Sequence, residues 1–98
     1  MGLYLPIQDG RKTVAASATA EALVDTSTPC KYVEMTAETD NTGIIVVGGS
    51  TVVAASSTRR GIPLSAGESM GFRIKDLQSV WLDTTINGDG VTYIYFAR

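Results

Sequence analysis

Histidine is absent from the 98 residues. Serine–histidine and cysteine–histidine nucleophile pairs, histidine general bases and the common zinc sites are therefore excluded. Cys30 is the one cysteine, so neither an internal disulfide nor a cysteine metal cluster can form. It opens an apolar segment, where a small buried hydrophobe is its expected role. Charge is also scarce, at 18% of residues with a net of −2 and a pI near 4.9. A nucleic-acid footprint wants a clustered basic face, which is missing. Either a partner hides part of the surface, or the abundant Ser and Thr replace charges as its solvated groups. No run approaches the ~20 apolar residues that span a bilayer. The start, Met1 to Gly10, lacks the basic head and apolar centre of a signal peptide. The chain is expected to act where it is made, or to leave the cell inside something larger.

What is present is β-forming. One domain fits the length. Leu3 to Ile7, which includes Tyr4, alternates, but Pro6 limits it to an edge strand or extended arm. Gln8 to Lys12 reads as a polar turn. Residues 1–12 are thus expected to be an arm held weakly by their own domain, or laid on a neighbouring subunit, with 13–98 as a single β domain. Thr13 to Val24 is alanine-rich, which favours helix. Val14, Ala16, Ala18, Ala20, Ala22 and Val24 nevertheless alternate, and period two predicts a strand. Cys30 to Glu38 is a strand with Val33, Met35 and Ala37 on one face. Ile44 to Val47 is apolar throughout, the pattern of a strand covered on both sides. Ile45 and Val47 are therefore candidates to meet a second subunit.

Thr51 to Ala55 reads as a short strand, Ser56 to Gly61 as an exposed loop and Ile62 to Leu64 as an extended piece. Met70, Phe72 and Ile74 point inward from the next strand, while Gly71 marks a bulge or close backbone approach. Asp76 is placed to cap a single helical turn over Leu77 to Ser79. Val80 to Asp83 is a strand, and Asn87-Gly88-Asp89-Gly90 is the strongest hairpin signal before a last strand from Val91 to Ala97. About eight short strands with turn signals every 8–12 residues or so predict an all-β chain, an antiparallel β-sandwich or jelly roll.

Chemistry-bearing motifs are weak. Asn87 to Gly90 lacks the spaced oxygens and distal Glu of a calcium loop. Gly48-Gly49-Ser50-Thr51 has neither the lysine nor the following helix of a phosphate loop. No carboxylate pair stands out for glycoside hydrolysis. Neither catalysis nor any cofactor is expected. Arg59 and Arg60 form either a solvated pair or an interface fork for carboxylates. If Ile94 and Phe96 point inward, Tyr93 and Tyr95 point outward beside Trp81. That aromatic row reads as a contact anchor, a sugar-stacking platform, or a strand covered within its own fold.

Taken in order, several runs resemble one family: S-T-P-C-K-Y-V-E-M-T-A, N-T-G-I-I-V-V-G, G-I-P-L-S-A-G-E-S, D-L-Q-S-V-W-L-D and N-G-D-G-V-T-Y-I-Y-F. Together they are similar to small β-rich virion structural proteins of tailed bacteriophages, of the capsid decoration or cement kind, over about Val14 to Phe96. The resemblance implies a β-sandwich or jelly roll and no catalysis. It also implies a homo-oligomer, dimer or trimer, bound to the major capsid protein on the capsid exterior after synthesis in the host cytoplasm. It assigns no site residue, and neither nucleic acid nor membrane is an expected partner. The expected alternative is a tail or head appendage that binds host-surface glycans through Trp81, Tyr93 and Tyr95.

Overall fold

A computed structural model describes residues 6–98. It contains strands β1 (Ile7–Thr13), β2 (Glu21–Ala22), β3 (Cys30–Ala37), β4 (Ile45–Gly48), β5 (Ile62–Leu64), β6 (Ser69–Arg73), β7 (Trp81–Thr84) and β8 (Gly90–Ala97), with one 3-10 turn at Leu77–Ser79. Two four-stranded sheets result, ordered β1-β8-β3-β6 and β2-β7-β4-β5. Every pairing is antiparallel. The chain is therefore an all-β sandwich, and each strand's partners are those of a jelly roll.

The core forms because strand side chains alternate across the pleat. On β3, Val33, Met35 and Ala37 are fully buried; on the facing sheet so are Ile45 and Leu82, with Val47 close behind. Burying each of the larger side chains contributes roughly 1.5–3 kcal/mol. Met70 and Phe72 of β6 pack on the edge of this cluster. As expected, Asp76 caps the 3-10 turn, accepting from the Gln78 amide at 2.8 Å. Its carboxylate also holds the Ser27 hydroxyl and, at 2.8 Å, the Thr28 amide, so it ties the loop before β3 to the turn before β7.

Four local expectations change. Gln8 to Lys12 is not a turn: it lies within β1, paired with β8 from Ile7↔Phe96 to Thr13↔Gly90. Thr13 to Val24 is not one strand, since only Glu21 and Ala22 are sheet residues. Its alanines bring too little apolar area to hold a strand, and Ala16 and Ala18 are exposed, Ala18 with φ 66°. The segment is fastened at its ends instead, by buried Val14 and Leu23 and by the Ser17 amide on Asn87 Oδ1 at 2.7 Å. Thr51 to Ala55 is a loop with a single bridge, Val53↔Arg60. Asn87 to Gly90 is not a hairpin, because β7 and β8 belong to different sheets. The turn crosses between them, with Gly88 at φ +89° supplying the left-handed step.

Two carboxylates that the sequence left unassigned hold the loops. Asp89, 6% exposed, accepts from the amides of Thr42 (3.2 Å) and Gly43 (2.8 Å). Asp83, 2% exposed, accepts from the Ala54 amide at 2.8 Å and from the Thr84 amide at 2.8 Å. Arg59 completes the second anchor by donating to the Ala54 carbonyl at 3.0 and 2.9 Å.

Candidate assembly surface

The two sheets differ in what covers their outer sides. The β2-β7-β4-β5 sheet is covered by its own chain: Val46 is fully buried in a second small core with Val52 and Ala54, and Ala20, Ile44 and Trp81 pack against it. Among the described residues, nothing covers the outer side of the β1-β8-β3-β6 sheet. Cross-strand neighbours share a face, so register brings Ile7, Asp9 and Arg11 of β1 beside Phe96, Ile94 and Thr92 of β8. Tyr32, Glu34 and Thr36 of β3 follow, then Arg73, Gly71 and Ser69 of β6.

This face has an apolar end and a charged end. Ile7 is 66% exposed and Ile94 44%, and both adjoin the tilted Tyr32–Phe96 ring pair, with centroids 5.7 Å apart. The Tyr32 hydroxyl donates to Glu34 Oε1 at 3.1 Å and lies over Gly71, where an added Cβ would overlap it. Gly71 thus marks neither a bulge nor a backbone approach but the seat of the Tyr32 phenol. Partial burial, and then the Glu34 carboxylate, hold the Tyr32 phenol above its ordinary pKa. At the charged end, Asp9, Arg11, Glu34, Thr36, Thr92 and Ile94 border a shallow trough. Arg11 forks onto the Glu38 carboxylate, whose contact raises the guanidinium pKa further. The arrangement offers apolar contact flanked by hydrogen-bonding and charged groups, a composition suited to docking.

The sequence-derived site residues scatter. Tyr4 lies outside the described residues. Ile45 and Val47 are core residues, 0% and 3% exposed between the sheets, and cannot touch another subunit in the folded chain. Ile44 to Val47 is indeed covered on both sides, but its second cover is the Val52–Ala54 loop and Trp81 rather than a partner. Arg59 is bound to Ala54 within the chain, while Arg60 is exposed at the bridge to Val53. Trp81, Tyr93 and Tyr95 do not form one row. Trp81 sits on the outer side of its sheet, whereas both tyrosines point inward from the other and pack on the main core. Fully buried Val91 sets the parity of β8, which turns Tyr93 and Tyr95 in and Ile94 and Phe96 out. Gly10 makes this feasible, since a Cβ there would collide with the Tyr93 ring. Burial raises the Tyr93 phenol pKa, and Tyr95 stands 6.1 Å away, centroid to centroid. Ile7, Ile94 and Tyr32 were not among the candidate contact residues, although the alternation of Val33, Met35 and Ala37 already turns Tyr32 to the opposite face of β3. For Ile94 the signal available was Val91, read as the inward anchor of β8.

No protein-family model and no curated protein matches the sequence. Among solved structures, the chain is similar to a subunit of the Bacillus endospore appendages, described as forming "a novel family of disulfide-linked pili", at TM-score 0.51 and 16% identity. The match covers 96% of this chain and 88% of that one. At this identity the likeness shows the fold.

Proposed function

We propose that this chain is a structural subunit that works by adhesion: a decoration or cement protein of a phage head, docked through the bare face of the β1-β8-β3-β6 sheet. The observation that carries the reading is the asymmetry of the sandwich. One outer face is sealed by the chain's own loops, whereas the other presents Ile7, Ile94, Phe96 and Tyr32 to solvent. Each 100 Å² or so of apolar surface covered there contributes about 2.5 kcal/mol before association costs. Many copies on a shell add avidity. The resemblance of the sequence runs to phage virion proteins supports the phage setting. The fold it shares with an appendage subunit supports a part in a repeated assembly.

Polymerisation through disulfides, as named for the appendage pili, does not suit this sequence. Its single cysteine is fully buried, and burial pushes the thiol pKa up, away from the reactive thiolate. Glycan stacking loses the platform it rested on, since the two tyrosines face the interior between the sheets and Trp81 the outer side of the other sheet.

Mixing the purified protein with empty phage shells tests the proposal. High-copy co-sedimentation and a higher shell melting temperature are expected, both lost in Ile94→Asp. Binding to glycans or cells with no affinity for shells would overturn it.

A further inference from the structure

The outer edge of β1 carries a second piece of information. The Ala97 amide donates to the Pro6 carbonyl at 3.0 Å, and the Val14 amide to the Asp89 carbonyl at 3.0 Å. Both contacts fit the ladder in which Gly10 faces Tyr93. In an antiparallel pair, hydrogen-bonded and non-hydrogen-bonded positions alternate. Even-numbered residues of β1 therefore bond to β8. Ile7, Asp9, Arg11 and Thr13 aim their N–H and C=O groups away from the sheet, at an edge with no strand beside it among the described residues.

We propose that β1 pairs with β1 of a second copy, antiparallel and centred on Gly10, joining the two bare-faced sheets into one eight-stranded sheet. The charge pattern selects this register. Centred on Gly10, Asp9 of each copy faces Arg11 of the other, Ile7 faces Thr13, and Gln8 faces Lys12. All four outward-aimed residues then meet outward-aimed partners, which permits about eight backbone hydrogen bonds. A pairing centred on Asp9 would set carboxylate against carboxylate, and one centred on Arg11 would set guanidinium against guanidinium. Like charges directly opposite destabilise a sheet pair. Gly10 falls at the two-fold axis on a non-hydrogen-bonded pair, where the backbones approach most closely. The inward-facing Lys12, a feature that normally discourages edge pairing, is neutralised by Glu21 at 2.8 Å.

The opposite edge fits less well. The Ala37 amide donates to the Glu68 carbonyl, which leaves Ser69, Gly71 and Arg73 of β6 facing outward. Head-to-tail pairing of β1 with β6 would align a single charge pair, Asp9 with Arg73, and would generate open chains rather than a closed dimer. The two-fold pairing needs no shell, so it stands or falls separately from the proposed function.

Light scattering during gel filtration of the purified chain tests it. The expected mass is twice 10.4 kDa. Asp9→Arg and Arg11→Asp each place like charges at both symmetry-related pairs and should weaken the dimer at least about tenfold. An equimolar mixture of the two variants should restore it, as a heterodimer in which every Arg faces an Asp. Asp9→Pro removes an outward N–H that β8 does not use. It should keep the β-sheet circular dichroism spectrum and yet be monomeric. A monomeric parent at the highest attainable concentration, a ladder of higher oligomers, undiminished dimers in both single variants, or a mixture no stronger than its components would overturn the proposal.

Discussion

Tyr93 and Ile94 are neighbours on β8 whose faces hydropathy alone assigns the wrong way round. Hydropathy puts Ile94 in the core and Tyr93 in solvent, but the structure does the reverse. Tyr93 packs on the inter-sheet cluster against a backbone left open by Gly10, while Ile94 is 44% exposed on the bare face. Truncation to alanine should separate the two. A fully buried aromatic costs ~3–5 kcal/mol to remove. Tyr93 is half-buried, so about 2–3 kcal/mol is expected, which for a domain of this size lowers Tm by roughly 10–20 °C. Ile94→Ala removes fewer buried atoms and leaves no enclosed cavity, and should cost under ~1 kcal/mol. Ile94→Asp should also fold, because its carboxylate stays in water. Urea titrations of the three variants, read by tryptophan fluorescence and far-ultraviolet circular dichroism, measure these differences. A silent Tyr93→Ala beside an unfolded Ile94→Asp would show that β8 is turned over. Ile94 would then lie in the core, and the exposed apolar face proposed for docking would not exist.

Three further outcomes follow from the loop anchors and the buried thiol. Asp83→Ala strips the Ala54 amide of its acceptor in a buried setting, which should cost roughly 1–3 kcal/mol. It should also speed tryptic cleavage after Arg59, whose guanidinium is tied to the Ala54 carbonyl in the parent; equal digestion rates would refute the anchoring role. Cys30 should resist a disulfide-exchange reagent in the folded chain and react fully once the chain is denatured, because its thiol is buried and its pKa raised. Fast labelling of native protein would contradict that. The Asp76 carboxyl is held below its usual pKa by the Ser27 hydroxyl and the Thr28 and Gln78 amides. Its contribution is therefore complete above the ordinary carboxylate range and is lost as pH falls through the lowered folded value. Asp76→Asn should flatten the acid limb of the stability profile, and an unchanged limb would count against the cap.

Where the sequence was legible, a local rule decided the outcome. The alternation of Val33, Met35 and Ala37 and the Asp76 cap on the turn at Leu77–Ser79 each follow from rules that act within a few residues. The misread features depend on partners far along the chain. Asn87-Gly88-Asp89-Gly90 has the composition of a hairpin turn, but hairpin or sheet crossover is decided by where β1 and β3 flank β8, and turn chemistry carries no record of that. Ile44 to Val47 announces cover on both sides without naming the cover, and the chain supplies it with Val52 and Ala54, pinned by Asp83 some 30 residues away. Facing on β8 fails for a related reason. Hydropathy favours Ile over Tyr for the core, but the space left by Gly10 across the ladder admits the Tyr93 ring instead. The same glycine spaces Asp9 and Arg11 symmetrically about itself on the free edge. A residue that contributes no side chain thus admits an aromatic ring to the core on one side. On the other, it sets the only full-overlap register in which β1 can meet its own copy without opposing like charges.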